Sequence, residues 1–383
     1  MKNKIIIVVS ILFLAIFVLF VSQNDIAEAA YRFSNFKGRP PVHISRSAQA
    51  RPTGMTPNEI KKIYKLPATG GSGTIAIIDA YDDATIEKDL SVFDAAFGII
   101  PCTVKNGCLE KHIMTSSTKT NSGWALETSL DVEWAHAIAP SAKILLIEAK
   151  TESGTNLLNA IDYAASRKDV VAISMSWGGA EFSDETDLDS HFASVSNAVF
   201  FASSGDDGWG ASWPVSSPNV VGVGGTSLEL LNDGTLVSES AWSGSGGGVS
   251  AYEIEPSYQK TYSIPKAGGK RAIPDVSYNA DPQSGFPVYK TTGSTSSPQA
   301  GSSKNGWYEL GGTSAGAPQW AAIQALGHSV SLSAIYKDKA STGTLAFFRD
   351  ITSGSNGTCK YYCDARKRYD YVTGLGSPLT TKF

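Results

Sequence analysis

The chemistry this chain could perform centres on Ser314, in the string Gly311-Gly312-Thr313-Ser314-Ala315-Gly316-Ala317-Pro318, which runs into the apolar stretch Gln319 to Gly327. Glycines let the backbone turn sharply, and a serine in the first turn of a helix sits near unsatisfied N–H groups and the positive end of the helix dipole. Those are conditions for a nucleophile, although Thr313 or Ser314 acting only as a helix cap reads equally well from the string alone. A second candidate is the pair Glu127 and Asp131 in Trp124-Ala125-Leu126-Glu127-Thr128-Ser129-Leu130-Asp131, four residues apart and so on one helical face. Two acids stacked this way repel when both ionise, so one proton is shared and the upper apparent pKa rises, which makes a base and its partner. The plain reading is a solvated acidic face. The mostly apolar continuation Val132 to Pro140 argues for burial, where acids need a compensating role. Glu133, on the same helix but another face, is assigned none.

The elements that must position these groups follow from hydrophobic patterning. Short apolar runs at Gly73 to Asp79, Lys143 to Glu148, Val170 to Met175, Ala198 to Ala202 and Val220 to Val223 alternate with helical stretches at Trp124 to Ile138, Leu157 to Ser166 and His191 to Ser196. Strands alternating with helices predict an α/β fold, a mostly parallel sheet covered on both faces in three layers, with chemistry gathered at the carboxyl ends of the strands. Ser203-Ser204-Gly205-Asp206-Asp207-Gly208 and Ser174-Met175-Ser176-Trp177-Gly178-Gly179 both fall at such ends. The first reads as a simple turn, and Trp177 as either cleft or core. The stretch Thr226 to Asn305, rich in Gly, Ser and Pro, reads as surface hairpins and loops.

Composition bounds the alternatives. At 383 residues with 42% hydrophobic content the chain suits one large globular body, and a net charge of −4 gives no basic footprint for nucleic acid. Lys2 and Lys4 before the apolar run Ile5 to Val21, then Ala27-Glu28-Ala29, form a signal-peptide pattern over residues 1–29, with retention as an anchor the alternative. Residues 30–53 read as an extended arm or short pro-segment, and residues 54–383 as the folded domain. Cys102 with Cys108 and Cys359 with Cys363 are close pairs, expected as two local disulfides of an oxidising compartment, zinc being the lesser reading.

Taken in order, these motifs resemble the sedolisins, the serine-carboxyl peptidases on a subtilisin-like fold. Gly-Thr-Ser-x-x-x-Pro resembles the nucleophile motif that family shares with subtilases. None of His43, His112, His136, His191 and His328 lies in the His-Gly-Thr string subtilases use. The resemblance implies Ser314 as nucleophile, Glu127 as general base, Asp131 orienting it, and Asp206 as a protonated oxyanion donor, with an acid-shifted pH optimum. Asp79, at the position of the subtilase acid, is left a hydrogen-bonding role behind the site. Ser176, Trp177, Gly178 and Gly179 would border the peptide cleft. Asp350 and Asp370, with carbonyls of Ile351, Arg366 and Arg368, would form one structural calcium site, although arginines stand where the family often has glycines and could instead pair with the aspartates. The implied protein is a secreted monomer acting on protein or peptide substrates, free of the membrane once the leader is cut. Its rivals are a catalytically silent binding protein on the same scaffold and an α/β-hydrolase esterase. The esterase would need an acid and then a histidine after Ser314, whereas only His328 follows, with no acid between.

Overall fold

In the computed structural model the described residues are Phe33, 35–115, 119–291, 305–337 and 347–379. The leader reading lies outside them. Among the described residues no helix is long and apolar enough to cross a membrane.

The apolar runs become strands. After β1 (His43–Gln49) and α1 (Pro57–Ile63), the chain lays down β2 (Thr74–Ala80), α2 (Ile86–Phe97), β3 (Leu109–Ile113), α3 (Ser122–Ile138), β4 (Lys143–Ala149), α4 (Gly154–Ala165), β5 (Val170–Met175), β6 (Val199–Ser203) and β7 (Val220–Leu230). β8 (Leu236–Ala241) and β9 (Val276–Asn279) complete an eight-stranded sheet in the order β8-β7-β6-β5-β2-β4-β3, with β9 paired to β7. All its pairings are parallel except β8 on β7. Side chains alternate across it as a period of two requires. Ile75 and Ile77 enter one apolar layer with α3, while Ala76 and Ile78 enter the other with α4. The expected three layers and mostly parallel sheet are therefore present.

A smaller sheet carries β1, β11 (Gly306–Gly311) and β10 (Phe286–Lys290), β11 in the middle, and delivers the chain to Thr313-Ser314-Ala315 and α5 (Gly316–Ala325). α3 is buried nearly all round, because it packs on the sheet, on α2 and on α5 together. Asn121 caps it, its side chain accepting from the Gly123 and Trp124 amides.

Three expectations are corrected. His191 to Ser196 is not an α-helix, since the regular structure there is the end of a 3-10 segment, Glu185–Phe192. Thr226 to Asn305 is not merely surface loops: its described part contributes β8, β9 and β10. In it Arg271 and Asp275 form a fully buried ion pair at 2.6 Å. Glycine and proline content misled, because Gly246, Gly247 and Gly285 lie where a side chain would strike the backbone of Ser204, Tyr371 and Leu310. Trp177 proves to be core, as its place in the site makes clear below. Both cysteine pairs are disulfides, Cys102 to Cys108 and Cys359 to Cys363.

Candidate active site

β2, β5 and β6 run parallel and end together, so Asp79, the Ser176 to Gly179 segment and the Gly205-Asp206 turn meet at one edge of the sheet. α3 crosses behind that edge and Ser314 arrives from β11 on a 3-10 turn packed against α3. Ser314, Glu127, Asp131 and Asp79 are all fully buried. The Ser314 hydroxyl donates weakly to the Ser176 carbonyl at 3.5 Å. The Ser176 hydroxyl lies 2.9 Å from Asp131 Oδ1 and 3.2 Å from the Ser314 carbonyl, fixing the second carboxyl to the nucleophile's own backbone.

Neither oxygen of Glu127 closes a hydrogen bond within the described residues. Ser314 and Asp131 are nonetheless among the side chains close enough to shift its protonation. Burial drives the Glu127 and Asp131 carboxyls well above the carboxylate range, and the charge of Asp79 raises both further. Asp79 itself is pushed by burial to about 8, and the Thr128 hydroxyl is close enough to favour its charged form. A cluster of three buried acids cannot hold three charges in a low-dielectric site. The group bears its first negative charge collectively, and the Ser314, Ser176 and Thr128 hydroxyls are the donors that favour that charge.

Asp206 has a side chain only 5% exposed and is aimed by Thr313: its Oδ1 accepts from the Thr313 amide and the Thr313 hydroxyl, each at 2.8 Å. Burial raises its pKa, while His43 and Thr313 hold it down. Its Oδ2 faces the His43 ring at 3.1 Å. Gly312, at φ +123°, lies in the backbone region that favours glycine, and a side chain there would strike Asp206 and the Pro41 carbonyl. The adjacent Asp207 is exposed.

Trp177 is fully buried, its indole N–H donating to the Ile78 carbonyl at 3.0 Å, so it braces β2 and offers no side chain to the groove. Gly178 presents both backbone groups outward and pairs antiparallel with Arg39, a partner that sequence patterning did not reveal. Gly179 lies against the Phe36 ring.

Toward the C-terminus the five residues of the calcium reading fall on one loop system. Asp350 accepts from the Arg368 amide at 2.9 and 3.0 Å, and Asp370 from the Arg366 amide at 3.1 Å. Among the described residues neither arginine side chain forms an ion pair with these acids: Arg366 pairs with Asp364 and lies over the Tyr361 ring, while the charges of Lys367 and Arg368 act on Asp350 from farther off. Among the described residues the carbonyls of Ile351, Arg366 and Arg368 accept no hydrogen bond. Burial pushes Asp370 to about 7. A buried carboxylate without a counter-charge, a second one close by, and idle carbonyls make a donor set that fits a hard cation such as Ca²⁺.

A serine and three buried acids thus meet at the carboxyl edge of a mostly parallel sheet, the arrangement that the resemblance of the motifs implies. No family model matches the chain. It is 26% identical over 373 residues to sedolisin of Pseudomonas sp. (strain 101), covering 85% of this chain and 60% of that protein. To kumamolisin of Bacillus sp. (strain MN-32) it is 31% identical over 383 residues, covering 88% and 64%. It thus spans a little under two thirds of the length of these curated relatives. The solved structure of Pseudomonas sedolisin, a serine-carboxyl proteinase complexed with pseudo-iodotyrostatin, matches with a TM-score of 0.70 and 27% identity over 86% of this chain and 96% of that one. The chain is thus similar to the sedolisins over most of its length.

Proposed function

We propose that this chain is an exported serine-carboxyl endopeptidase, monomeric and active at acidic pH, that hydrolyses peptide bonds with Ser314 as nucleophile. The observation that carries this reading is the burial of Ser314 against Glu127 and Asp131, with Asp206 oriented by the residue preceding the serine. Glu127 takes the Ser314 proton as the hydroxyl attacks the substrate carbonyl, and returns it to the departing amine; water then repeats the step on the acyl-enzyme. Asp131, held by Ser176, orients Glu127 and shares its proton. Asp206 donates to the developing oxyanion and must be protonated to do so, since an ionised carboxylate would repel it. Export is supported by the leader pattern and by the two disulfides.

The pH dependence follows from opposite demands. Activity rises as the Glu127 cluster takes its first charge, and falls as pH climbs through the pKa of Asp206, which burial raises. Hydrolysis of a denatured protein mixture from pH 3 to 8 should give a bell on the acid side of neutrality. A rate flat and high through neutral pH would overturn the acidic reading, and no hydrolysis at any pH would favour the silent binding protein.

Ca²⁺ would be held by the Asp350 and Asp370 carboxylates and the carbonyls of Ile351, Arg366 and Arg368, neutralising charge and tying the C-terminal loops together. Chelation should lower Tm by roughly 5 °C, as expected for losing a bound ligand, and added Ca²⁺ but not Mg²⁺ should restore it. Thermal unfolding in EDTA with each cation measures this, and an unchanged Tm would remove calcium from the reading.

A further inference from the structure

At the amino ends of β2 and β4, the opposite end of the sheet from Ser314, α1 and the segment that follows α2 enclose a cavity of about 110 Å³. Phe97, Ile100 and Pro140 give it apolar walls, Thr69 brings an exposed hydroxyl to its mouth, and Lys61 and Ala68 complete it. Lys61 is only 7% exposed, a rare place for a lysine unless its charge is paired. Its ammonium donates to the Ala68 carbonyl at 2.8 Å. Among the described residues no carboxylate lies within ion-pairing distance of it. A charged group thus sits at an apolar-walled cavity with one acceptor for its three hydrogens.

The acids that could have served Lys61 are spent elsewhere. Glu59, two positions away on α1, closes the helix cap, its Oε2 accepting from the Thr56 amide at 2.8 Å and from the Thr56 hydroxyl at 2.7 Å. Asp94, on α2, accepts from the Cys102 amide at 3.0 Å and faces His136 Nε2 at 3.5 Å. His136, on α3, stands directly behind the cavity wall, because its Nε2 lies 2.8 Å from the Ile100 carbonyl. Burial pushes Asp94 up to about 7, so in mild acid it is mostly neutral and gives no counter-charge. Burial pulls Lys61 down to about 8, and its positive charge bears on His136. Below neutrality the amine is therefore protonated with no anion beside it. A buried ammonium without a counter-ion is costly, and an incoming anion would offset that cost.

We propose that this cavity binds a small organic carboxylate, its charged end on the Lys61 ammonium beside the Thr69 hydroxyl and its apolar tail against Phe97, Ile100 and Pro140. An apolar cavity of about 150 Å³ takes up benzene, so the smaller space here suits a tail of a few carbons. Inorganic anions lack the tail that these walls call for. A free short-chain acid and the C-terminal residue of a peptide both carry the required chemistry. Once filled, the site ties α1 to the Phe97 to Ile100 segment and stabilises the fold. It makes no contact with Ser314, and it does not depend on the peptidase reading.

Scanning calorimetry of the full chain near pH 6, at matched ionic strength with butyrate, N-acetylvaline, butyramide or sulfate, tests this. A carboxylate that fits should raise Tm by about 2 °C at ten times its dissociation constant, whereas the neutral amide and sulfate should not. The tighter of the two carboxylates names the source, butyrate a free acid and N-acetylvaline a peptide end. Lys61→Met should weaken binding, measured by isothermal titration, by about tenfold or more, the usual loss for a charge-assisted hydrogen bond. A second readout needs no variant. The ε-methylene resonance of Lys61 should titrate with its midpoint about one pH unit higher in saturating butyrate, because a tenfold preference of the ligand for the charged amine acts equally in reverse. Equal Tm shifts from butyramide or sulfate, undiminished binding in Lys61→Met, or a Lys61 midpoint that butyrate leaves in place would overturn the proposal.

Discussion

Replacing Ser314 with alanine, or Glu127 with glutamine, should each reduce peptide hydrolysis by about 10⁴-fold or more, and the double change should cost little beyond either single one. The reason is that nucleophile and base form one device. An alanine has no oxygen to attack with, and a glutamine leaves the hydroxyl with no acceptor for its proton, so removing either part leaves only groove binding and the oxyanion donor at work. Glu127→Gln is the sharper test because it keeps the volume of a fully buried side chain while removing its acid. The residual rate of the glutamine variant should also lose its acid limb, since the cluster no longer has to give up a proton at Glu127. Initial rates on a peptide, measured across pH with circular dichroism as the control for folding, decide the matter. Wild-type rates in the glutamine variant would mean that another group takes the proton, and the assignment of the base would fall.

The same buried acids bear on stability. Asp79 and Glu185 are pushed to about 8, and Asp94 and Glu148 to about 7, in each case chiefly by burial. A carboxyl whose pKa is higher folded than unfolded keeps its proton longer in the native state. Its contribution is fully present below the unfolded value, near 4, and is lost as pH rises through 7 to 8. Tm should accordingly be higher at pH 5 than at pH 8, on the order of 5 °C, and scanning calorimetry at the two values measures it. A fold that is most stable with its acids protonated suits a site that needs one of them protonated to work.

Much of this was legible in the residues. The buried parallel strands show as continuous apolar runs, and the Glu127 to Asp131 spacing places both acids on one helical face whatever the helix packs against. The cysteine pairs are close enough in sequence to join locally. What patterning could not supply came from pairing across long distances. Nothing in Thr226 to Asn305 distinguishes a glycine that makes a loop from one such as Gly247 or Gly285, against which another backbone packs too closely for a side chain, so core segments there read as surface. Trp177 has the composition of a cleft residue, and only the meeting of its indole with Ile78 decides for the core. Likewise Phe36 to His43 is polar, basic and proline-marked, an ordinary linker by composition. Its pairing partners, Gly178 and Gly311, lie more than a hundred residues downstream.

Asp206 offers the second large effect, because its two conservative replacements should part company. Alanine removes the oxyanion donor outright and should cost about 10² to 10³-fold in kcat on the acid side, where the parent's Asp206 holds its proton, the usual loss for one such group. Asparagine can still accept from the Thr313 amide and hydroxyl through its Oδ1, the contacts that aim Asp206 in this structure. Its amide then donates without needing a proton from solvent. In the asparagine variant the alkaline fall of the bell should therefore move up or vanish, leaving activity that persists through neutral pH, whereas the parent loses it as Asp206 ionises. Rates for the three proteins against pH give the comparison. If asparagine and alanine behaved alike, with the parent's alkaline limb intact in both, the carboxyl of Asp206 would not be the proton whose loss ends catalysis.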